Sequence, residues 1–262
     1  MRFDIITLFP EMFESFMASG VIRRAFDSEQ IRVRLWNPRD HASGNYRRVD
    51  DRPFGGGPGM VMMAEPMWLC LQAIRADRQQ DRTQAPLLLF SPYGQVLNHA
   101  VVSDWATSEK GAVLLCGRYE WVDQRFIDAH VDGHISLGDF VLSGGEIPAM
   151  AFLDAVARLQ PGVLHDPDSH AHDSFNPRLD GLLDCPHFTR PEVWQGQSVP
   201  EPLLSGHHGH IERWRRQQSL SQTARLRPDL IAAARTQQNL TPDDEACLAA
   251  YTLARPVGKS GL

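Results

Sequence analysis

No run of about 18 apolar residues occurs in this 262-residue chain, so a membrane-spanning helix is not expected. The N-terminal stretch MRFDIITLFPEMF carries Asp4 and Glu11 and has no small-residue cleavage site. It reads as a first β-strand rather than a signal peptide. Cysteine is scarce: four residues, at 70, 116, 185 and 247, without the paired spacing of a disulfide framework or a zinc knuckle. That pattern points to a reducing compartment and, with no membrane partner expected, to the cytoplasm. A surplus of positive charge is also missing. The formal net charge is −6, which speaks against a general nucleic-acid binder and against DNA as a partner. No internal repeat is present.

What is present is ordinary in bulk, 42% hydrophobic and 22% charged, and uneven in detail. Residues 32–52 hold six arginines against three aspartates, and residues 213–227 hold five arginines and no acid. Runs of charge usually keep a surface solvated, but local basic patches on an acidic protein suffice to hold a phosphate backbone.

Strand-like and helix-like segments alternate over the first 160 residues. FDIITLF, IRVRLWNP, APLLLFSPYG and GAVLLCGRYE read as strands. Helical spacing follows Pro10 through EMFESFMASGVIRRAF, and recurs over 64–80, 95–108, WVDQRFIDAHV and 147–160. Residues 40–63 read as a glycine-rich loop. This order predicts an α/β fold with a mainly parallel sheet. The character changes at Pro161, where proline, glycine, aspartate and histidine replace periodicity. Beyond Glu201 the chain reads as helical, with Thr241 and Asp244 placed to start a helix. The expected organisation is an α/β domain over 1–160, a linker over 161–176 and a small helical domain over 177–262.

Three apolar strands end in unusual loops, at 91–94, 116–120 and 137–148. In parallel α/β sheets ligands sit outside the carboxyl ends of strands, so these loops are expected to share one pocket. Glycines at 138, 144 and 145 let backbone reach a flat ring, with Phe90, Leu137 and Leu142 to sandwich it. Phosphate fingerprints are missing: GGGPGM at 55–60 lacks the lysine and hydroxyl of a P-loop, and SGGE is not GxGxxG. Glu120, Asp139 and Glu146 would repel phosphates and suit a ligand carrying a cation. The sulfonium of S-adenosylmethionine meets that condition better than ATP or NAD. The histidines of 165–210 have no frame that converges on an ion, so no metal-ligand set is assigned.

The motifs RPFGGGPGM (52–60), CGRYE (116–120), GDFVLSGGEIPAM (138–150), DSF (173–175), LLDCPHFTRPEVW (182–194) and LLSGHHGHIERWR (203–215) resemble the bacterial tRNA (guanine-N1)-methyltransferase family, TrmD, of the SPOUT class. The match is in order over most of the chain. The resemblance implies methyl transfer from S-adenosylmethionine to N1 of the guanosine immediately 3′ to the anticodon, position 37 of tRNA. It implies a deep trefoil knot over about 87–148, a homodimer sharing each active site, and dependence on Mg2+. Residues implied to hold the cofactor are Phe90, Ser91, Pro92 and Gly94 from the first loop, and Gly117, Tyr119 and Glu120 from the second. The third loop adds Leu137, Gly138, Phe140, Leu142, Gly144, Gly145 and Pro148. Asp173 is implied to be the general base and Arg158 the cation that meets charge developing on guanine O6. Substrate contacts are implied for Arg52, Gly59 and Met60, for Ser174 beside the base, and for His207, Arg213 and Arg215 at the anticodon stem.

Two departures stand out against the family pattern. Trp121 occupies the place of a glycine after CGRYE, so the indole must point away from the ligand or reshape the wall. Phe140 replaces a tyrosine, keeping the ring and losing a hydroxyl. Two further functions compete with this one: a SPOUT methyltransferase acting on another tRNA position, and a non-catalytic RNA-binding protein. Intact positions Asp173 and Arg158 speak against the second.

Overall fold

The structure, a computed structural model, describes residues 1–80, 84–108, 110–165 and 169–253. Residues 166–168 of the expected linker and 254–262 at the end of the expected helical domain lie outside it. The chain forms two compact units, Met1–His165 and Asp166–Leu262.

In chain order the first unit contains β1 (Arg2–Ile6), α1 (Pro10–Met17), α2 (Arg23–Asp27), β2 (Arg32–Trp36), β3 (Asp50–Asp51) and β4 (Val61–Met62). Then come α3 (Ala64–Gln80), β5 (Leu87–Val96), α4 (His99–Thr107), β6 (Ala112–Leu115), β7 (Trp121–Val122), α5 (Gln124–His130), β8 (Gly133–Ser136) and α6 (Glu146–Arg158). Five strands form one sheet in the order β2-β1-β6-β5-β8, and every pairing in it is parallel. All five carboxyl ends therefore face one edge.

Buried strands explain the continuous apolar runs. Phe3, Ile5, Leu88, Phe90 and Leu114 point into one layer with Phe13 and Phe152. Ile6, Leu87, Leu89, Val113 and Leu115 point into the other, with Met67, Ile74 and Phe126. Phe152 of α6 meets Phe3, Phe90 and Trp105 edge-to-face at centroid distances of 5.8, 6.2 and 5.9 Å.

Several local expectations are corrected. The helix expected after Pro10 is two helices, because the chain turns at residues 18–22 around Gly20 at φ 69°. The loop 40–63 contains β3 and β4, which with β7 make a second, three-stranded sheet. Trp121 and Val122 are therefore strand, and the helix begins only after Asp123, whose side chain accepts from the Arg125 N–H. The strand expected over 85–94 spans Leu87–Val96, with a register irregularity between Phe90 and Gln95. Its following helix starts at His99, capped by Asn98.

A buried ionic cluster closes the amino-end edge. Asp4 is fully buried. It accepts from Arg2 at 2.8 Å, Arg78 Nε at 2.6 Å and Trp36 Nε1 at 2.8 Å. Arg78 also donates to the carbonyls of Arg2 and Ala112, tying α3 to two strands. Removing Asp4 takes away the buried carboxylate that Arg2 and Arg78 share, which is costly in a desolvated site.

The second unit contains β9 (Val193–Trp194), β10 (Gln197–Ser198), α7 (Glu201–Leu204), α8 (His208–Leu226), α9 (Pro228–Thr236) and α10 (Pro242–Leu253). Its core is small: Leu182, Leu220, Ile231, Ala234 and Leu248. Polar contacts supplement it. Asp244 accepts from Arg216 through both oxygens, at 2.9 and 2.8 Å. It also exchanges cap hydrogen bonds with Thr241 at the start of α10. Residues 169–184 are not a structureless tether. Asn176 donates from its amide to His170 O, and Phe175 N–H to Leu182 O.

Two outcomes follow. Asp4→Ala should cost about 3–5 kcal/mol, read as a lower urea midpoint with unchanged slope. Hydrogen bonds from Arg216, then those of Thr241, hold the Asp244 carboxyl at about 2, below its usual value, against the cost of burial. Its contribution is present above the ordinary aspartate range and is lost as pH falls through that depressed value. Asp244→Asn should therefore destabilise the helical unit by on the order of 2 kcal/mol at neutral pH, with the difference from wild type shrinking as acid unfolding approaches pH 2.

Candidate active site

Three segments enclose a cavity of about 330 Å³: the irregular stretch of β5 between Phe90 and Gln95, the loop after β6 and the loop after β8. Its wall includes Phe90, Ser91 and Pro92 from the first segment and Gly117, Tyr119 and Glu120 from the second. The third supplies Leu137, Gly138, Phe140, Leu142, Gly144, Gly145 and Pro148. Gly94 is not part of this wall. It lies against β8, where a Cβ would come 2.5 Å from the His134 and Ile135 backbone. Its place in the motif is set by strand-to-strand approach, not by the cavity.

The acids divide differently from expectation. Glu120 lines the cavity, and its side chain packs over Gly59, at φ 79°. Asp139 is exposed and off the wall, and Glu146 is fully buried beneath it. Only one of the three carboxylates therefore lines the cavity. Tyr119 holds φ 62°, a conformation rare for a residue of this bulk and common at ligand sites. Burial, then the Asp50 charge, raises its pKa above the usual value. Trp121 forms part of the wall, edge-on to Tyr93 with centroids 5.4 Å apart, so the indole reshapes the cavity rather than leaving it.

Arg118 is the residue that pattern reading missed. It is a cation lining the cavity, with its guanidinium carbon 4.5 Å over the Phe9 ring. The available signal was its place inside CGRYE, between two residues that were selected.

Among the expected substrate contacts, Arg52 is exposed, and the Met60 carbonyl accepts from the Glu120 N–H at 2.9 Å. Arg158 is the half-buried last residue of α6. In the second unit Asp173, Arg213 and Arg215 line one open hollow of about 2040 Å³, with His172, His187 and His208. Ser174 is not presented there: its hydroxyl accepts from the Asp184 N–H at 2.9 Å. His207 caps α8 and stacks on His210 at 4.1 Å. Trp214 packs edge-on to Phe188. Asp184, Cys185 and His187 bring an oxygen, a thiol and a ring nitrogen within 4.8 Å of one another. Asp184 and His187 already satisfy each other at 2.8 Å, and burial, then the Asp184 charge, raises the thiol pKa.

Fold and cavity define the class first: a parallel α/β unit with a candidate ligand cavity at the carboxyl edge of its sheet, and a helical unit after it in the chain. The family model described as tRNA (Guanine-1)-methyltransferase TrmD matches residues 1–233, and the chain belongs to that family. A tRNA (guanine-N(1)-)-methyltransferase of Paracidovorax citrulli is 70% identical over 250 residues, covering 95% of this chain and 98% of that one. One from Cupriavidus necator is 53% identical over 261 residues, covering 99% of each. The crystal structure of tRNA (m1G37) methyltransferase from Aquifex aeolicus is 35% identical, with a TM-score of 0.69, over 92% of this chain and 99% of that one.

Gly94→Ala should force β5 away from β8 at a cost on the order of 1–3 kcal/mol. The expected reading is a lower unfolding midpoint; an unchanged midpoint would mean the strands separate freely here.

Proposed function

We propose that this protein transfers the methyl group of S-adenosylmethionine to N1 of the guanosine immediately 3′ to the anticodon of tRNA, position 37. The observation that carries the reading is the cavity lined by β5 and the loops after β6 and β8, in a chain of this family. The residues present fit the donor. Gly144 and Gly145 have no side chain to fill the wall, the apolar Leu137, Phe140 and Leu142 suit an adenine face, and Glu120 is an acid for a cationic ligand. When bound, the donor supplies an electrophilic methyl on a sulfonium.

Guanine N1 carries a proton at neutral pH, so its lone pair is unavailable until a base removes it. Asp173 is the proposed acceptor. Loss of that proton places negative charge on O6, which Arg158 is proposed to meet. Asp173 lines a hollow shared with Arg213 and Arg215, cations suited to RNA phosphates. The helical part, 177–262, is accordingly assigned to tRNA, with 1–160 as the methyltransferase domain and 161–176 between them.

The exposed Phe140, Val141 and Ile147 at or beside the cavity rim support a homodimer in which a second copy covers this edge. A trefoil knot over about 87–148 belongs to the same proposal. Among the described residues no helix is long and apolar enough to cross a membrane, in keeping with a cytoplasmic enzyme acting on tRNA.

The test is transfer of labelled methyl to an unmodified tRNA transcript carrying that guanosine, with product digested to nucleosides. Wild type should yield N1-methylguanosine at that one site. Asp173→Ala should lose about 10²–10⁴-fold in rate while still binding the donor, and Arg158→Ala about 10²–10³-fold. Label on a ribose or another base would overturn the assigned site; no transfer despite binding of both ligands would overturn catalysis. Chelation in the same assay tests the Mg2+ requirement that the family resemblance implies.

A further inference from the structure

Glu146 is fully buried, opens α6 and stays off the cavity wall. A carboxylate this deep needs partners, or its desolvation would be prohibitive. It has two. Thr7, just past β1, donates its hydroxyl to Oε1 at 2.9 Å, and the same hydroxyl accepts from the Phe9 N–H at 3.0 Å. Arg118 Nε lies 2.8 Å from Oε2. The N–H there is not aimed well enough to form a hydrogen bond, so this contact holds mainly by charge.

Arg118 spends its remaining reach on the neighbouring loop. Nη1 donates to Ser143 O at 3.2 Å, and the Arg118 backbone pairs with Gly144. Gly145 N–H donates to Gly117 O at 2.9 Å, completing the join between the two loops. The guanidinium lies so close that a Cβ on Gly144 would meet Nε at 2.2 Å. Phe9 covers its face. The cation is thus pressed between Phe9, Ser143 and Gly144, and one buried carboxylate sets where it sits.

We propose that Glu146 is a positioning residue of the cavity: it fixes Arg118, and Arg118 locks the 143–145 loop onto the 116–120 loop. Ligand affinity then depends on a carboxylate that lies outside the wall. The affinity arm of this inference rests on the methyl-donor reading; the loop-locking arm does not.

The experiment has two readouts. Without ligand, Glu146→Gln should speed hydrogen exchange at the Gly145 amide by about tenfold or more, while Ile5 and Leu114 in the sheet exchange as in wild type. An unchanged Gly145, or acceleration spread equally through the sheet, overturns the proposal. With ligand, calorimetric affinity for S-adenosylhomocysteine should fall about tenfold in Glu146→Gln and in Arg118→Met, and no further in the double variant. Additive losses, or no loss in Glu146→Gln, overturn it. If Glu146→Gln does not fold, Arg118→Met must show the same exchange pattern, and a slow Gly145 amide in that variant overturns it. If wild type itself fails to bind S-adenosylhomocysteine, the donor reading falls and the exchange data still decide the positioning role.

Discussion

Gly145 packs so closely against Cys116 that a side-chain carbon there would lie 2.6 Å from the Cys116 Cα. That contact joins the loop after β6 to the loop after β8, and the cavity exists because they meet. Parallel pairing brings the two carboxyl ends to one edge, but it does not hold the loops together. The join needs backbone against backbone, which only glycine permits at this spacing. Phe90, Leu137 and Leu142 then line an enclosed volume instead of three separate turns.

Buried charge is used at both edges of the same sheet, to different ends. At the amino edge Asp4 gathers Arg2, Arg78 and Trp36, anchoring α3 to the strands. At the carboxyl edge Glu146 reaches back to Thr7 and across to Arg118. The first cluster runs outward through Asp77 to Arg34 at the surface. The second ends at a residue facing the cavity, so an element of the core extends to the site. The helical unit has a smaller core and relies on ion pairs such as Arg216 with Asp180 and Asp244.

The parallel strands were legible because burial on both faces leaves continuous apolar runs such as LLLF and AVLL. The glycine-bearing segments around the cavity were legible for a different reason. Glycine inside an apolar run weakens a strand, and it persists where backbone must turn sharply or approach something closely. What misled were short segments whose conformation is set by a distant partner. Trp121 and Val122 carry a helix-like continuation, yet they pair with Val61 and Met62. Pro92 and Gly94 look like a strand ending, yet β5 resumes beside Ile135 and Ser136. Glu146 looked like a ligand-facing acid because nothing local distinguishes an acid that faces a cavity from one buried beneath it.

The amino-acid sequence by itself determined the alternation of strand and helix, the three glycine-bearing loops, the family, and the change of character near residue 161. Those features rest on local pattern: periodicity, glycine placement and motif order are properties of neighbouring residues. Tertiary structure alone decided that Gly94 serves the sheet, that Ser174 is occupied by Asp184, that Trp121 joins the wall, and that Glu146 grips Arg118. Each depends on which side chains from remote parts of the chain are brought within hydrogen-bonding or van der Waals distance, and that distance is fixed only when the strands take their order.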